Sequence, residues 1–238
     1  MKCLIVAAGQ GARLREKGEL KPLIPIRGVA LIERVIGQCR AAGAEEFFVV
    51  SGYRGGELRQ TLDELAARDA IRITHVVNEQ WERANGVSVL AAKSVLHAPF
   101  LLTMCDHLVD PEILRRLIAV PVEPDTVRLA VDFNLERPFN DPDDVTRVKC
   151  VAGRIAHIGK VIRDYNAFDT GVFVCTQAMF TALEASQMEG DDTISGAINM
   201  LARWGQARIF DIGSRIWIDV DDPAAFAKAE ALLDQGRL

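Results

Sequence analysis

Apolar and polar positions along this chain follow two periods, and their order changes about half-way. Over the first 110 residues, short apolar runs of strand length are separated by amphipathic stretches of helix length. Lys2–Ala8 predicts a buried strand. Ala30–Ala42 (ALIERVIGQCRAA) carries the 3.6-residue period of a helix and stops at Gly43. Glu46–Ser51, Ile71–Val77 and Phe100–Cys105 predict further strands, with helices at Gly56–Arg68 and Gly86–Leu96. Strands spaced by helices call for a parallel sheet covered on both faces.

After Asp110 the pattern is mixed. Pro111–Ala119 predicts a helix, Thr126–Asp132 a strand, and Asn134–Asp144 a polar loop with prolines. Val145–Val151 and Arg154–Ile158, joined by Ala152-Gly153, predict a β-hairpin. A strand at Ala167–Cys175 precedes helices at Gln177–Gln187 and Thr193–Arg203. Strands at Ala207–Asp211 and Arg215–Ile218 lead to a last helix from Pro223, with Asp222 as its cap. The expectation is an α/β fold with a Rossmann-like, mixed but mostly parallel sheet, helices on both faces and a small β-rich lobe. Residues 1–238 form one domain in this reading, its halves 1–110 and 111–238 sharing a sheet.

Composition narrows the partners. The chain has 238 residues, 49% hydrophobic and 26% charged, which is ordinary for a globular domain. The net charge of −5 and the lack of a basic block argue against nucleic acid or an anionic membrane surface. A local basic pocket for a small anion stays compatible with this balance. The apolar run at the N-terminus is too short for a signal peptide, and no run is long enough for a membrane span. Cys3, Cys39, Cys105, Cys150 and Cys175 form no CxxC pair and mostly sit in apolar runs. They read as core residues of a cytoplasmic protein, with zinc disfavoured.

The chemistry gathers first in AAGQGARLREKGELKPLIPI, Ala7–Ile26, directly after the first strand. A dinucleotide fingerprint requires a third glycine where Leu14 stands. A Walker loop requires Gly-Lys-Ser/Thr at a spacing that Gly9 and Lys21 do not have. What remains is a loop whose small residues Ala7, Ala8, Gly9 and Gly11 let backbone N–H groups approach an anion. Arg13 and Lys21 can add positive charge. The plainer alternative is a tight strand-to-helix turn with surface cations. Asp106 closes the strand FLLTMC, at the carboxyl end where ligands of parallel sheets gather. A carboxylate there suits Mg²⁺, although a turn aspartate is the competing reading. His107 is assigned to the turn, and Asp110, before Pro111, to a helix cap. Asp219 and Asp221 lie two apart in WIDVD and share a face of an extended segment. Asp169 is a charge inside the apolar strand AFDTGVFV, which favours a functional role.

These motifs together resemble the sugar-phosphate nucleotidyltransferases, the MobA-like NTP transferases. AAGQGARLREKGELKPL is similar to their signature loop, with Leu20 where a proline usually precedes the lysine. RANGVSVLAAK resembles the nucleoside segment, LLTMCDHLVD the fourth-strand aspartate motif and VKCVAGRIAHIGK the hairpin-plus-lysine motif. FDTGVFVC resembles the substrate strand and WIDVDDP the C-terminal metal-aspartate motif. Within the family, CDH, IGK and FDTG look closest to the CTP:inositol-1-phosphate cytidylyltransferases.

The resemblance implies a GT-A-like nucleotidyltransferase fold, with residues 1–110 binding the nucleotide and 111–238 the acceptor. It implies that an acceptor phosphate attacks the α-phosphorus of an NTP, CTP favoured, and releases pyrophosphate with Mg²⁺. Arg13 would lie over the β- and γ-phosphates and Lys21 over the α-phosphate. Ala7, Ala8, Gly9, Gly11, Asn78, Asn85 and Gly86 would meet the nucleotide, with Glu79 beside the base. Asn85 has the alternative of merely capping the following helix. Asp106, with Asp221 preferred over Asp219, would hold metal. Lys160, Asp169, Thr170 and Gly171 would meet the acceptor. Arg147, Lys149, Asp191 and Asp192 are left as surface or cap residues. Other phosphorylated acceptors, a silent nucleotide-binding module and a family-type homodimer stay open.

Overall fold

Strand β1 (Lys2–Ala7) sends alternate side chains into two separate cores. Cys3, Ile5 and Ala7 enter one, and Leu4 and Val6 the other. That alternation is what a sheet covered on both faces requires. The computed structural model describes residues 1–138 and 144–238. Residues 139–143 of the predicted loop lie outside the described residues.

A two-residue ribbon, β2 (Pro25–Ile26) with β3 (Val29–Ala30), leads into α1 (Leu31–Ala41). Then follow β4 (Glu46–Ser51), α2 (Gly55–Asp69), β5 (Arg72–Val77), α3 (Asn85–Ala91) and β6 (Phe100–Met104). A short strand, β7 (His107–Val109), precedes α4 (Pro111–Ala119) and β8 (Val127–Asp132). The hairpin β9 (Arg147–Val151) and β10 (Arg154–Gly159) is followed by β11 (Ala167–Cys175), α5 (Ala178–Met188) and α6 (Ile194–Arg203). The chain ends with β12 (Ala207–Asp211), β13 (Trp217–Asp219) and α7 (Pro223–Asp234).

Nine strands from both halves form one sheet, ordered β5-β4-β1-β6-β11-β8-β12-β10-β9. The strands from β5 to β6 are parallel, and β11 pairs antiparallel with both β6 and β8. Helices α1, α2, α4 and α7 pack on one face through residues such as Val35, Leu62, Leu117 and Phe226. Helices α3, α5 and α6 cover the other through Val89, Phe180 and Leu201.

Two sequence expectations need correction. The helix predicted over Gly86–Leu96 ends at Ala91 and continues as turns, in which the Val95 and Leu96 N–H groups both donate to Ala92 O. Ala92 and Leu96 stay fully buried, so the apolar period persists after the α-helix has stopped. The second is β7, read from the sequence as a turn. It pairs antiparallel with β13 in the register His107↔Asp219, Leu108↔Ile218, Val109↔Trp217. The three residues of β7 carry no local signal of their own, whereas β13 (Trp217–Asp219) overlaps the strand predicted at Arg215–Ile218.

The β13 end of this ribbon is anchored by a buried network. Asp132, fully buried at the end of β8, accepts hydrogen bonds from Trp217 Nε1 at 2.9 Å, from the Asn134 N–H at 3.0 Å and from Arg137 Nε. Arg137 Nη2 also donates to Gly213 O at 2.8 Å. Asp132→Ala strips a buried guanidinium of its counter-charge, a change that costs about 3–5 kcal/mol. Thermal unfolding of this variant is expected to shift down by on the order of 10 °C. Asp132→Asn, which keeps an acceptor for Trp217, should fall less. Co-melting of Asp132→Ala with the parent protein would remove the network from the fold's supports.

Candidate active site

Lys21 reaches the site from a 3₁₀ turn, Lys21–Leu23, and passes directly under Gly11. Gly11 has φ +62°, and a Cβ there would lie 2.4 Å from the Lys21 Cβ. Glycine is therefore required twice, for the left-handed backbone and for the close approach. The Lys21 ammonium is buried between the carboxylates of Asp106 and Asp221 and bonds to both. Burial alone would push its pKa down, but Asp106 and Asp221 outweigh it and hold the pKa well above the ordinary lysine value. Asp106 is the mirror case. Burial would raise its pKa, yet Lys21 and His107 keep it far below the usual carboxylate range.

The β7–β13 ribbon sets His107 beside Asp219, and the Val220 N–H donates to Asp106 O at 3.0 Å. His107 Nδ1 hydrogen-bonds Asp106 Oδ1 at 2.8 Å and lies 3.8 Å from Asp219 Oδ1. Its ring stacks on Trp217 with centroids 6.4 Å apart. On the other side it fills the space beside Gly171, whose φ is +72° and whose Cβ would lie 2.2 Å from the His107 Cδ2. Burial lowers the imidazole pKa, and the carboxylates of Asp219 and Asp106 more than reverse this, to about 9. Asp219 is pushed up to about 7, first by burial and then by Asp106 and Asp221, with His107 opposing.

Asp106, His107 and Asp219 each bring one ligand atom within 4.8 Å of the others. Asp219 Oδ1 is buried and has no hydrogen-bond partner among the described residues. A carboxylate oxygen so placed fits a divalent cation, and the two aspartates supply the oxygen donors that Mg²⁺ prefers. The sequence favoured Asp221 over Asp219 and left His107 to the turn. In the structure the cluster contains Asp219 and His107, while the Asp221 oxygens are engaged by Lys21 and Arg13.

A cavity of about 450 Å³ opens above these groups. Ala7, Ala8, Gly9, Gly11 and Asn85 line it, together with Lys160, Asp169 and Gly171. Lys21, Asp106, Asp219 and Asp221 line it as well. Arg13 stands at the rim, bonded to Asp221 and, at 2.6 Å, to Asp144. Asp144 also accepts from Lys160 Nζ at 2.9 Å and was not singled out in the sequence, where it sits in an acidic loop without a motif.

Besides Arg13 at the rim, four expected site residues are not among those lining the cavity. Thr170 is fully buried, and its hydroxyl donates to Ala130 O at 2.8 Å. Strand alternation directs it to the face opposite Asp169 and Gly171. Asn78 is buried, donating to Ser88 Oγ at 2.9 Å and accepting from the Gln80 N–H at 2.9 Å. Gly86 packs against the α5–α6 loop, where a Cβ would lie 2.4 Å from Asp192 O. Glu79 is exposed. Asn85 does not cap its own helix. Its Oδ1 accepts the Ile194 N–H at 3.0 Å, and Arg83 grips Asp192 nearby through contacts of 2.7–3.0 Å. The α3 loop is thereby tied to the start of α6.

Residues 3–194 match the family model described as the MobA-like NTP transferase domain. The chain belongs to this family. Curated relatives include a bifunctional IPC transferase and DIPP synthase of Rubrobacter xylanophilus, 37% identical over 96% of this chain and 51% of that protein. One of the same description from Aquifex aeolicus is 29% identical over 97% of this chain and 51% of that protein. The chain thus spans about half the length of these relatives. Among solved structures, an inositol-1-phosphate CTP transferase from T. maritima superposes with a TM-score of 0.86. It is 26% identical and covers 98% of this chain and 95% of that one. A UDP-glucose pyrophosphorylase in complex with UDP-glucose gives a TM-score of 0.81 at 18% identity, over 99% of both chains. The MobA-like domain therefore has the Rossmann-like, GT-A-like nucleotidyltransferase fold expected from its sequence. No helix among its described residues is long and apolar enough to cross a membrane.

Asp169, which lines the cavity, provides a test. Burial pushes its carboxyl up to about 6, against the Gly171 N–H at 2.7 Å and the charge of His107. A folded-state pKa above the unfolded one means stability that is complete at low pH and lost as pH rises through about 6. Asp169→Asn removes that loss. Its melting temperature is expected to exceed the parent's by a few degrees at pH 8, with the difference closing towards pH 4. An Asp169→Asn protein that melts below the parent at pH 8 would show that the carboxylate stabilises the fold instead.

Proposed function

We propose that this domain transfers CMP from CTP to a phosphorylated polyol, inositol 1-phosphate, with release of pyrophosphate. Residues 1–110 bind the nucleotide and 111–238 the acceptor. The observation that carries the reading is the buried Lys21 ammonium between Asp106 and Asp221, facing one cavity that also holds Lys160 and Asp169. The likeness to the T. maritima inositol-1-phosphate CTP transferase over nearly the whole chain supports the choice of substrates. Five free, buried cysteines suit a reducing cytoplasm.

The chemistry needs no general base. A phosphate monoester is largely dianionic at neutral pH, since its second pKa is about 6. One of its oxygens forms a bond to the α-phosphorus as the bond from that phosphorus to the bridging oxygen breaks, and the electron pair leaves with pyrophosphate. The barrier is the meeting of two polyanions, so positioning and positive charge carry the rate. Lys21 is fixed by its two carboxylates and keeps its proton, which makes it a stationary charge beside the α-phosphate. Arg13 at the rim neutralises the leaving phosphates. The backbone of Ala7, Ala8, Gly9 and Gly11 approaches the nucleotide where side chains are small or missing, and Asn85 borders it. Lys160 receives the acceptor phosphate, and Asp169 accepts from acceptor hydroxyls, with Gly171 leaving room beside it. Asp106 and Asp219 would hold Mg²⁺, which would neutralise phosphate charge at the reacting centre.

A pyrophosphate-release assay with Mg²⁺, four NTPs and a panel of inositol, hexose and heptose phosphates, phosphocholine and phosphonates tests this directly. CTP with inositol 1-phosphate is expected to give the highest rate. Lys21→Ala and Asp106→Ala should each lower turnover by on the order of a hundredfold or more, with the parent's far-UV circular dichroism. No release with any pair would overturn the reaction, and near-parent turnover of either variant would overturn the site assignment.

A further inference from the structure

The cations of this site are neutralised in two different ways. The Lys21 side chain, 7% exposed, is enclosed by Asp106 and Asp221. Arg13 and Lys160 are 52% and 59% exposed, and both bond to the carboxylate of Asp144, itself 36% exposed, while Arg13 Nη2 also bonds to Asp221. Asp144 Oδ2 accepts from Arg13 Nη1 at 2.6 Å, and Oδ1 accepts from Lys160 Nζ at 2.9 Å. These are its only side-chain hydrogen bonds among the described residues. Arg13 comes from the loop after β1 and Lys160 follows the β9–β10 hairpin, so one carboxylate joins two segments far apart in the chain. Those two bonds hold the Asp144 pKa below its ordinary value, Lys160 contributing first and Arg13 second.

Two cations that meet on one carboxylate are close enough to meet on one phosphate. A phosphate monoester offers three oxygens and nearly twice the charge. Exposed ion pairs are weak, because water and salt screen them and their long side chains lose freedom on pairing. The Asp144 bridge is therefore exchangeable, whereas the enclosed Lys21 cluster is not.

We propose that Arg13 and Lys160 form a single phosphate seat, which the Asp144 carboxylate fills until a phosphate displaces it. Asp144 is then an internal competitor that keeps the two cations apart from other anions and in place for the substrate. Resting on the proposed reaction, which puts Lys160 on the acceptor phosphate and Asp169 on the acceptor hydroxyls, the seat belongs to the acceptor's phosphate, and both residues line the cavity. Arg13 is thereby shared between the leaving phosphates and the incoming one.

Asp144→Asn keeps the shape and removes the competing charge. Inorganic phosphate, titrated calorimetrically into the protein at low ionic strength, is expected to bind Asp144→Asn about three- to tenfold more tightly than the parent. The KM for inositol 1-phosphate should fall by a similar factor. Adding Lys160→Ala to Asp144→Asn should abolish the gain, which ties it to the seat. CMP, which lacks the leaving phosphates, should compete with inorganic phosphate less than the acceptor does. Unchanged or weaker phosphate binding by Asp144→Asn, at the parent's melting temperature, would overturn the seat. A lower melting temperature with a raised KM would likewise overturn it, in favour of a strut between the two segments that carry Arg13 and Lys160. Tighter phosphate binding without turnover on any acceptor would leave the seat standing and remove the proposed reaction. Turnover on inositol 1-phosphate with no change in phosphate affinity would do the reverse.

Discussion

One buried ammonium organises this molecule's working end. Lys21 lies between Asp106, at the end of β6, and Asp221, just past β13, so it joins the start, middle and end of the chain. A lysine in that position would lose its proton without partners, and a pair of carboxylates would repel without a cation. Each group is tolerable only in the presence of the others. Gly11 is bound to the same requirement, since a side chain there would displace the lysine stem. The β7–β13 ribbon supplies the remaining constraint by holding Asp106, His107 and Asp219 in register.

Around this centre, charge is arranged by depth. The enclosed cluster is expensive to disturb, because a buried charge left without its partner is costly. The rim, with Arg13, Asp144 and Lys160, is screened by water and can exchange partners. A site that must bring two polyanions together benefits from both properties: a fixed charge where the bond changes, and adaptable charges where substrates enter and leave. The Asp132–Arg137–Trp217 network is the structural counterpart, built on a buried ion pair that anchors β13.

Much of the site was legible in particular residues. The spacing of Gly9, Gly11, Arg13 and Lys21 excluded two common phosphate loops before any family was considered, and the cavity wall contains all of these but Arg13, which stands at its rim. Asp106 was conspicuous because ligands gather at the carboxyl ends of parallel strands, and Asp169 because charge is costly inside an apolar strand. Thr170 and Gly86 belong to the same motifs, yet they serve packing: one faces away from Asp169, and the other makes room for the α5–α6 loop. Asn78 likewise supports its neighbours. A motif is a run of residues, but only every second residue of a strand faces a given side.

The sequence by itself determined the alternation of strands and helices, the two-faced sheet, the family and the set of charged residues available for chemistry. These follow from local periodicity and from residue types whose cost or geometry is intrinsic. Only the tertiary structure decided which charges meet. His107 and Asp219 come together through a ribbon of three-residue strands that are stable only as a pair. Asp144 bridges Arg13 and Lys160 across distances in sequence that no local pattern encodes. Ion pairing depends on separations of a few ångströms and on exclusion of water, and folding sets both at once.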